Sequence, residues 1–341
     1  MFKYILTLGV HLFFVLIISS CEKTINVTNV SDNSDNDIEY PCLTPNSDCK
    51  NNIKVGEGTF EFFSSFHIDS LSEVQGAIIT FHGNNRNADD YFEKMASIII
   101  ELGLTDDILI IAPKFATLYE RSYDSDWYWN TTSWKWGMPS YNSPLGENIS
   151  SFAIIDTILT KISDESLFPQ LENVLITGHS SGAAFTHMFS YTKSENSFNG
   201  LNIKFAVVNN QYFVHPDDTR IQQDGSVSVL QSCNNYNDWP YGLNNLNPYM
   251  QIVGASLAKN NFFSNVVDYF VGENDTDTSL DSGCHYDILG SSRLEKNLNF
   301  NTYMDVISPN NSHQITIIPN LGHTTNTLSS DVFQTYIESI F

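Results

Sequence analysis

The stretch NVLITGHSSGAAFTHMFSY, residues 173–191, changes its periodicity halfway along. Asn173–Thr177 is a short apolar run of the kind that forms a strand buried on both faces. Ser181–Tyr191 has the pattern of a helix. Between them lies Gly178-His179-Ser180-Ser181-Gly182. A strand that passes straight into a helix must turn sharply, and the strained turn tolerates only small residues two positions either side of its apex. Gly178 and Gly182 occupy those positions, and Ala183 and Ala184 let the helix pack closely. Ser180 is therefore expected at the apex, with its hydroxyl standing above the strand end.

Outward from this turn, apolar runs rich in β-branched residues recur at Gly76–Phe81, Asp107–Ala112, Lys204–Asn209, Val266–Val271 and Gln314–Ile318. Helical patterns fall at Ala88–Leu102, Ser151–Ser163 and Ser329–Ile340, with Asn87 and Ser150 as expected N-caps and Gly103 as a stop. Strand and helix alternate, which predicts an α/β fold with a mostly parallel, doubly wound sheet and helices on both faces. Residues 117–149 and 210–262 break the alternation. Loops of that length in a compact domain are usually lids or binding walls. The first holds Trp127, Trp129, Trp134 and Trp136, and these aromatic residues are expected to form a wall that stacks on a sugar or aromatic group of a substrate.

A serine hydroxyl is a weak nucleophile at neutral pH, so it needs an imidazole base, and the base needs an acid to fix its tautomer. His323 follows the last strand and precedes the terminal helix, which makes it the expected base. His313 precedes that strand, at the wrong sheet end, and His285 and His215 sit in irregular regions. The acid is expected just after Val266–Val271, where Glu273, Asp275 and Asp277 cluster. Asp275 is the first choice, with Asp277 and Glu273 as alternatives. A developing oxyanion needs backbone N–H donors, expected from Ser181 and, after the strand Gly76–Phe81, from Asn84 in His82-Gly83-Asn84-Asn85. His82 and His179 are read as shaping the loops around them.

With these residues placed, residues 53–341 resemble the α/β-hydrolase superfamily of esterases, lipases and related enzymes. A closer likeness is to secreted microbial serine hydrolases, carried by His82-Gly83, Arg86-Asn87-Ala88, Tyr91, Ser150-Ser151-Phe152, Asp156 and Phe168-Pro169. Further matches are Asn235-Tyr236-Asn237, Trp239, Tyr241, Gly242, Gly290, Arg293 and Leu294. Asn209-Asn210-Gln211 departs from the Pro-Ser segment that the resemblance implies. The resemblance implies an enzyme with long cap-like loops and a Ser-His-Asp triad, most simply a carboxylic ester hydrolase acting through an acyl-enzyme. A peptidase or lipase of the same fold, or a surface binding lipoprotein without catalysis, are the alternatives.

The N-terminal segment is read separately. Residues 1–20 carry Lys3 and an apolar run from Tyr4 to Ile18, shorter than the roughly 20 residues a bilayer needs. They end in Ile18-Ser19-Ser20-Cys21, which resembles a bacterial lipoprotein signal with Cys21 as the lipidated residue. Residues 21–52, rich in Asn, Asp and Ser, are expected to be an acidic tether, and residues 53–341 the catalytic domain. This predicts a lipid-anchored protein of the cell envelope, at the outer membrane or cell surface. The remaining cysteines are even in number, and the expected pairs are Cys42 with Cys49 and Cys233 with Cys284. No cysteine is then left for a metal, and neither metal nor cofactor is expected. With 39 acidic against 16 basic residues the net charge is −23, which disfavours nucleic acid as a partner. The expected partner is a small-molecule or glycan ester, bound by a monomer.

Overall fold

The computed structural model describes residues 41–141, 146–194, 197–198 and 200–341. The expectations for the signal segment, for Cys21 and for the acidic run lie outside these residues. Among those described, no helix is long and apolar enough to cross a membrane.

The strands are Lys50–Val55 (β1), Gly58–Ser64 (β2), Gly76–Phe81 (β3), Ile108–Pro113 (β4), Asn173–His179 (β5), Asn202–Val208 (β6), Thr219–Ile221 (β7), Val227–Val229 (β8), Val266–Gly272 (β9) and Gln314–Ile318 (β10). The helices are Ala88–Leu102 (α1), Ser151–Ile162 (α2), Ser181–Phe189 (α3), Pro248–Val253 (α4), Ala255–Ser264 (α5), Cys284–Asp287 (α6), Arg293–Ile307 (α7) and Asp331–Glu338 (α8). The main sheet runs β1-β2-β4-β3-β5-β6-β9-β10, antiparallel from β1 to β4 and parallel from β4 onward. β7 and β8 form a separate hairpin.

Period-two alternation hides inside the continuous apolar runs, because each sheet face has its own core. Ala77, Ile79 and Phe81 of β3, with Val174 and Ile176 of β5, join Phe152, Phe185 and Phe300 of α2, α3 and α7 on one face. Ile78 and Leu175 turn the other way, toward Phe92, Ile99 and Phe333 of α1 and α8. The register aligns Phe81 with Gly178, Gly178 with Val207, and Gly272 with Ile318, so the loops leaving these strands meet at one edge.

The helix ends follow local chemistry. Gly103 closes α1 in the left-handed region with φ 70°, and the Ser150 hydroxyl accepts the Phe152 N–H at the start of α2. Asn87 does not cap α1: its side chain binds Asp90 instead. The tether boundary is also corrected. Residues 42–52 are folded: the Cys42 N–H bonds to the Ser65 carbonyl, the Cys42–Cys49 disulfide closes a turn, and Lys50–Asn52 open β1. The second disulfide joins Cys233 and Cys284.

Candidate active site

The elbow is built as its glycines require. Ser180 has φ 61° and ψ −113°, a conformation that L-residues adopt only under constraint. A Cβ on Gly178 would come within 2.5 Å of the Gly182 backbone, and one on Gly182 within 2.3 Å of the Phe81 carbonyl oxygen. No side chain fits at either place. The Ser180 N–H is bonded to Val208 O of β6, which holds the turn to the sheet.

The structure brings Ser180, His323 and Asp275 together. His323 Nε2 lies 3.0 Å from Ser180 Oγ, and His323 Nδ1 lies 3.0 Å from Asp275 Oδ2. Asp277 and Glu273, the alternative acids, are engaged elsewhere: Asp277 with Ser279, Glu273 with the Asn320 N–H. Asp275 has a fully buried carboxylate, whose other oxygen faces Arg293 Nη1 at 3.4 Å. An unpaired buried carboxylate would be costly, and contacts with both His323 and the guanidinium offset its burial. Arg293 Nε, itself buried, finds no acceptor among the described residues.

Asn209, just past the end of β6, ties the site together. It has φ 54°, and its N–H bonds to Phe270 O. Its Oδ1 accepts the Gly272 N–H, while its Nδ2 donates to Gly322 O and lies 3.4 Å from His179 Nε2. One side chain thus fixes the end of β9 against the loop that carries His323. Sequence reading noticed the residue but not this role, because the partners become neighbours only when β6 and β9 pair.

His179 stacks on His323 with ring centroids 4.8 Å apart, and Tyr91 Oη reaches its Nδ1 at 3.2 Å. Burial pushes it down to about 3, helped by the nearby His323 and Arg293, so it stays neutral and adds no cation beside His323. His82 accepts the Phe115 N–H through Nε2, with Nδ1 2.9 Å from Gly83 O, and burial lowers it to about 4. Both shape loops. His215 and His313 are buried, and His313 Nε2 lies 2.9 Å from Phe262 O. His285 stands against Tyr241.

One expected oxyanion donor opens α3 directly after Ser180, and the other lies on the loop after β3. Ser181 is the first residue of α3, where helical N–H groups have no intrahelical acceptor. Asn84 is exposed on the loop after β3, which Arg86 braces by bonding Asn84 O and the Glu120 carboxylate. Among the described residues, neither N–H donates to a protein acceptor.

The expected tryptophan wall is corrected. Trp127, Trp129 and Trp134 are at most 1 % exposed and belong to the core. Trp127 Nε1 donates to Val55 O and Trp129 Nε1 to Met138 O, while Trp134 stacks on Phe115. Their apolar area stabilises more when removed from water than when left in a cleft. Trp136 alone remains half-buried, its ring edge-on to Tyr212. Among the described residues the one group of metal-binding atoms is Cys233, Cys284 and His285, and the disulfide uses both sulfurs.

No family model matches the sequence, and no curated protein does. Solved structures do. The chain is similar to LpqC, a poly(3-hydroxybutyrate) depolymerase from Bordetella parapertussis, at 15% identity and TM-score 0.59, over 85% of this chain and 90% of that one. It is similar to poly(aspartic acid) hydrolase-1 from Sphingomonas sp. KT-1 at 16% identity and TM-score 0.58, over 85% and 97%. Strand order, elbow and these likenesses agree: the chain has the α/β-hydrolase fold.

Proposed function

We propose that this protein is a serine hydrolase that cleaves carboxylic esters through an acyl-enzyme. The observation that carries the reading is the chain of contacts from Ser180 Oγ through His323 to buried Asp275, mounted on a strained elbow. His323 Nε2 takes the hydroxyl proton as Ser180 Oγ attacks the ester carbonyl. Asp275 holds the ring with Nδ1 protonated and stabilises the imidazolium. The N–H groups of Asn84 and Ser181 receive the oxyanion, each contributing about 3 kcal/mol in such sites. His323 then protonates the departing alcohol, and water, activated by the same ring, releases the acid. That both related structures bear the names of hydrolases, one of a polyester, favours this chemistry.

The location is part of the proposal and rests on the sequence: an anchor at Cys21 followed by an acidic tether would hold the enzyme outside the cytoplasm. Changing Cys21 to Ser should move the protein from the membrane to the soluble fraction. For the activity, the test is hydrolysis of short-chain aryl esters against the matching anilides. The esters should turn over faster, and Ser180→Ala should abolish turnover. Equal rates for ester and anilide would point to a peptidase.

A further inference from the structure

The 3-10 turn Ser133–Trp136 carries a group for which the reaction above has no use. Lys135 is 4 % exposed, and burial draws its ammonium down to about 8. Its Nζ lies 4.3 Å from the centre of the Tyr212 ring and 5.1 Å from that of Trp136. Among the described residues no hydrogen-bond acceptor reaches it, and the carboxylate that acts on it is the more distant Asp281. That carboxylate already accepts the Tyr212 hydroxyl. Two ring faces attract a cation, but they accept none of its N–H bonds in the way an anion would. Nearby, Gln211 Oε1 and Trp136 Nε1 are also buried without partners among the described residues.

The position of Lys135 in the fold gives this meaning. Trp134, its neighbour, rests against His82 at the exit of β3, with ring centroids 4.5 Å apart. Tyr212 lies just beyond Asn209 at the exit of β6, the strand that holds the Ser180 N–H. Asp281 belongs to the loop that follows Asp275. The ammonium therefore sits among loops that leave the sheet edge on which Ser180 stands.

We propose that Lys135, framed by Trp136 and Tyr212, is an anion subsite beside the nucleophile, and that the preferred substrates are esters carrying a carboxylate. This rests on the serine ester hydrolase reading. A single ammonium whose charge Asp281 partly offsets from farther away can take at most a monoanion and disfavours a phosphate dianion. The two rings flank the apolar carbons next to that charge.

Two matched ester pairs test it. One places the carboxylate on the acyl side: para-nitrophenyl hydrogen glutarate with para-nitrophenyl pentanoate. The other places it on the alcohol side: para-acetoxybenzoate with para-tolyl acetate. In at least one pair the wild type should favour the anionic member by about tenfold or more in kcat/KM, the effect of one charge-assisted hydrogen bond. Lys135→Met should bring that ratio to about one, and Lys135→Arg should restore most of it. Each ratio is internal to one protein, so loss of folded material cannot imitate the result. Protein that reacts with a fluorophosphonate at Ser180 but shows no preference, or keeps it in Lys135→Met, overturns the subsite. Protein that fails to react at Ser180 overturns the parent reading instead.

Discussion

The corner around Ser180 and the tryptophan-rich segment 117–149 are built on opposite terms. At the corner, side chains are held in costly states: a non-glycine residue at φ 61°, a buried carboxylate, and a neutral histidine stacked on the base. In the segment, large rings are held in favourable ones, with Trp127, Trp129 and Trp134 sealed into the core. The corner uses strain that the segment's packing offsets. Chemistry and stability should therefore separate between the corner and the three buried rings, with Lys135 and Trp136 standing apart from both.

The largest effect expected is at the corner. Ser180→Ala or His323→Ala should lower kcat/KM by about ten-thousandfold or more, with a denaturation midpoint close to wild type. Activity that survives either change breaks the comparison. Trp127→Ala should do the reverse. Removing a fully buried ring costs about 3–5 kcal/mol of stability, seen in urea unfolding, while kcat/KM per folded molecule stays within about threefold. A large fall in kcat/KM for the folded fraction would mean that the buried rings themselves take part in catalysis.

The same contrast explains what the sequence disclosed. The strands and the order of Ser180, Asp275 and His323 were legible because each residue sits at a strand end, and strand ends carry local signatures in glycine and period. Side-chain direction in a long loop has no such signature. Nothing near Trp134 says that its ring turns down onto Phe115 while Lys135 and Trp136 turn toward Tyr212. β1 was missed for another reason: the polar residues before Ile53 read as tether, and β1 is an edge strand with several exposed positions.

Asn209 and Arg293 sharpen the comparison at smaller scale, since they act on the triad through other residues. Asn209→Ala and Arg293→Met should each reduce kcat by about tenfold to a hundredfold, chiefly through misplacement of His323 and Asp275, with KM little changed. A change confined to KM would contradict a positioning role. Arg293→Lys should recover part of the loss, because a point charge replaces a fork.

The last effect concerns acid. Burial lowers His82, His179, His187, His215 and His313 below their ordinary value of 6.5. The unfolded chain therefore binds protons that the folded one refuses. Their contribution to stability is complete above pH 6.5 and is lost as pH falls toward 4, by on the order of 1 kcal/mol per pH unit for each proton. Three of these histidines, His187, His215 and His313, lie outside the corner, so acid should unfold the protein as a whole. A urea midpoint that stays flat from pH 7 to about 4.5 would refute this.

In the proposed reaction Ser180 is a nucleophile activated by His323. The direct measurement is reaction of the purified protein with a fluorophosphonate, followed by peptide mapping. Adduct on Ser180 in the wild type, with labelling greatly slowed in His323→Ala and absent in Ser180→Ala, is the predicted result. Adduct on another residue, or labelling of Ser180 at an undiminished rate without His323, would contradict it.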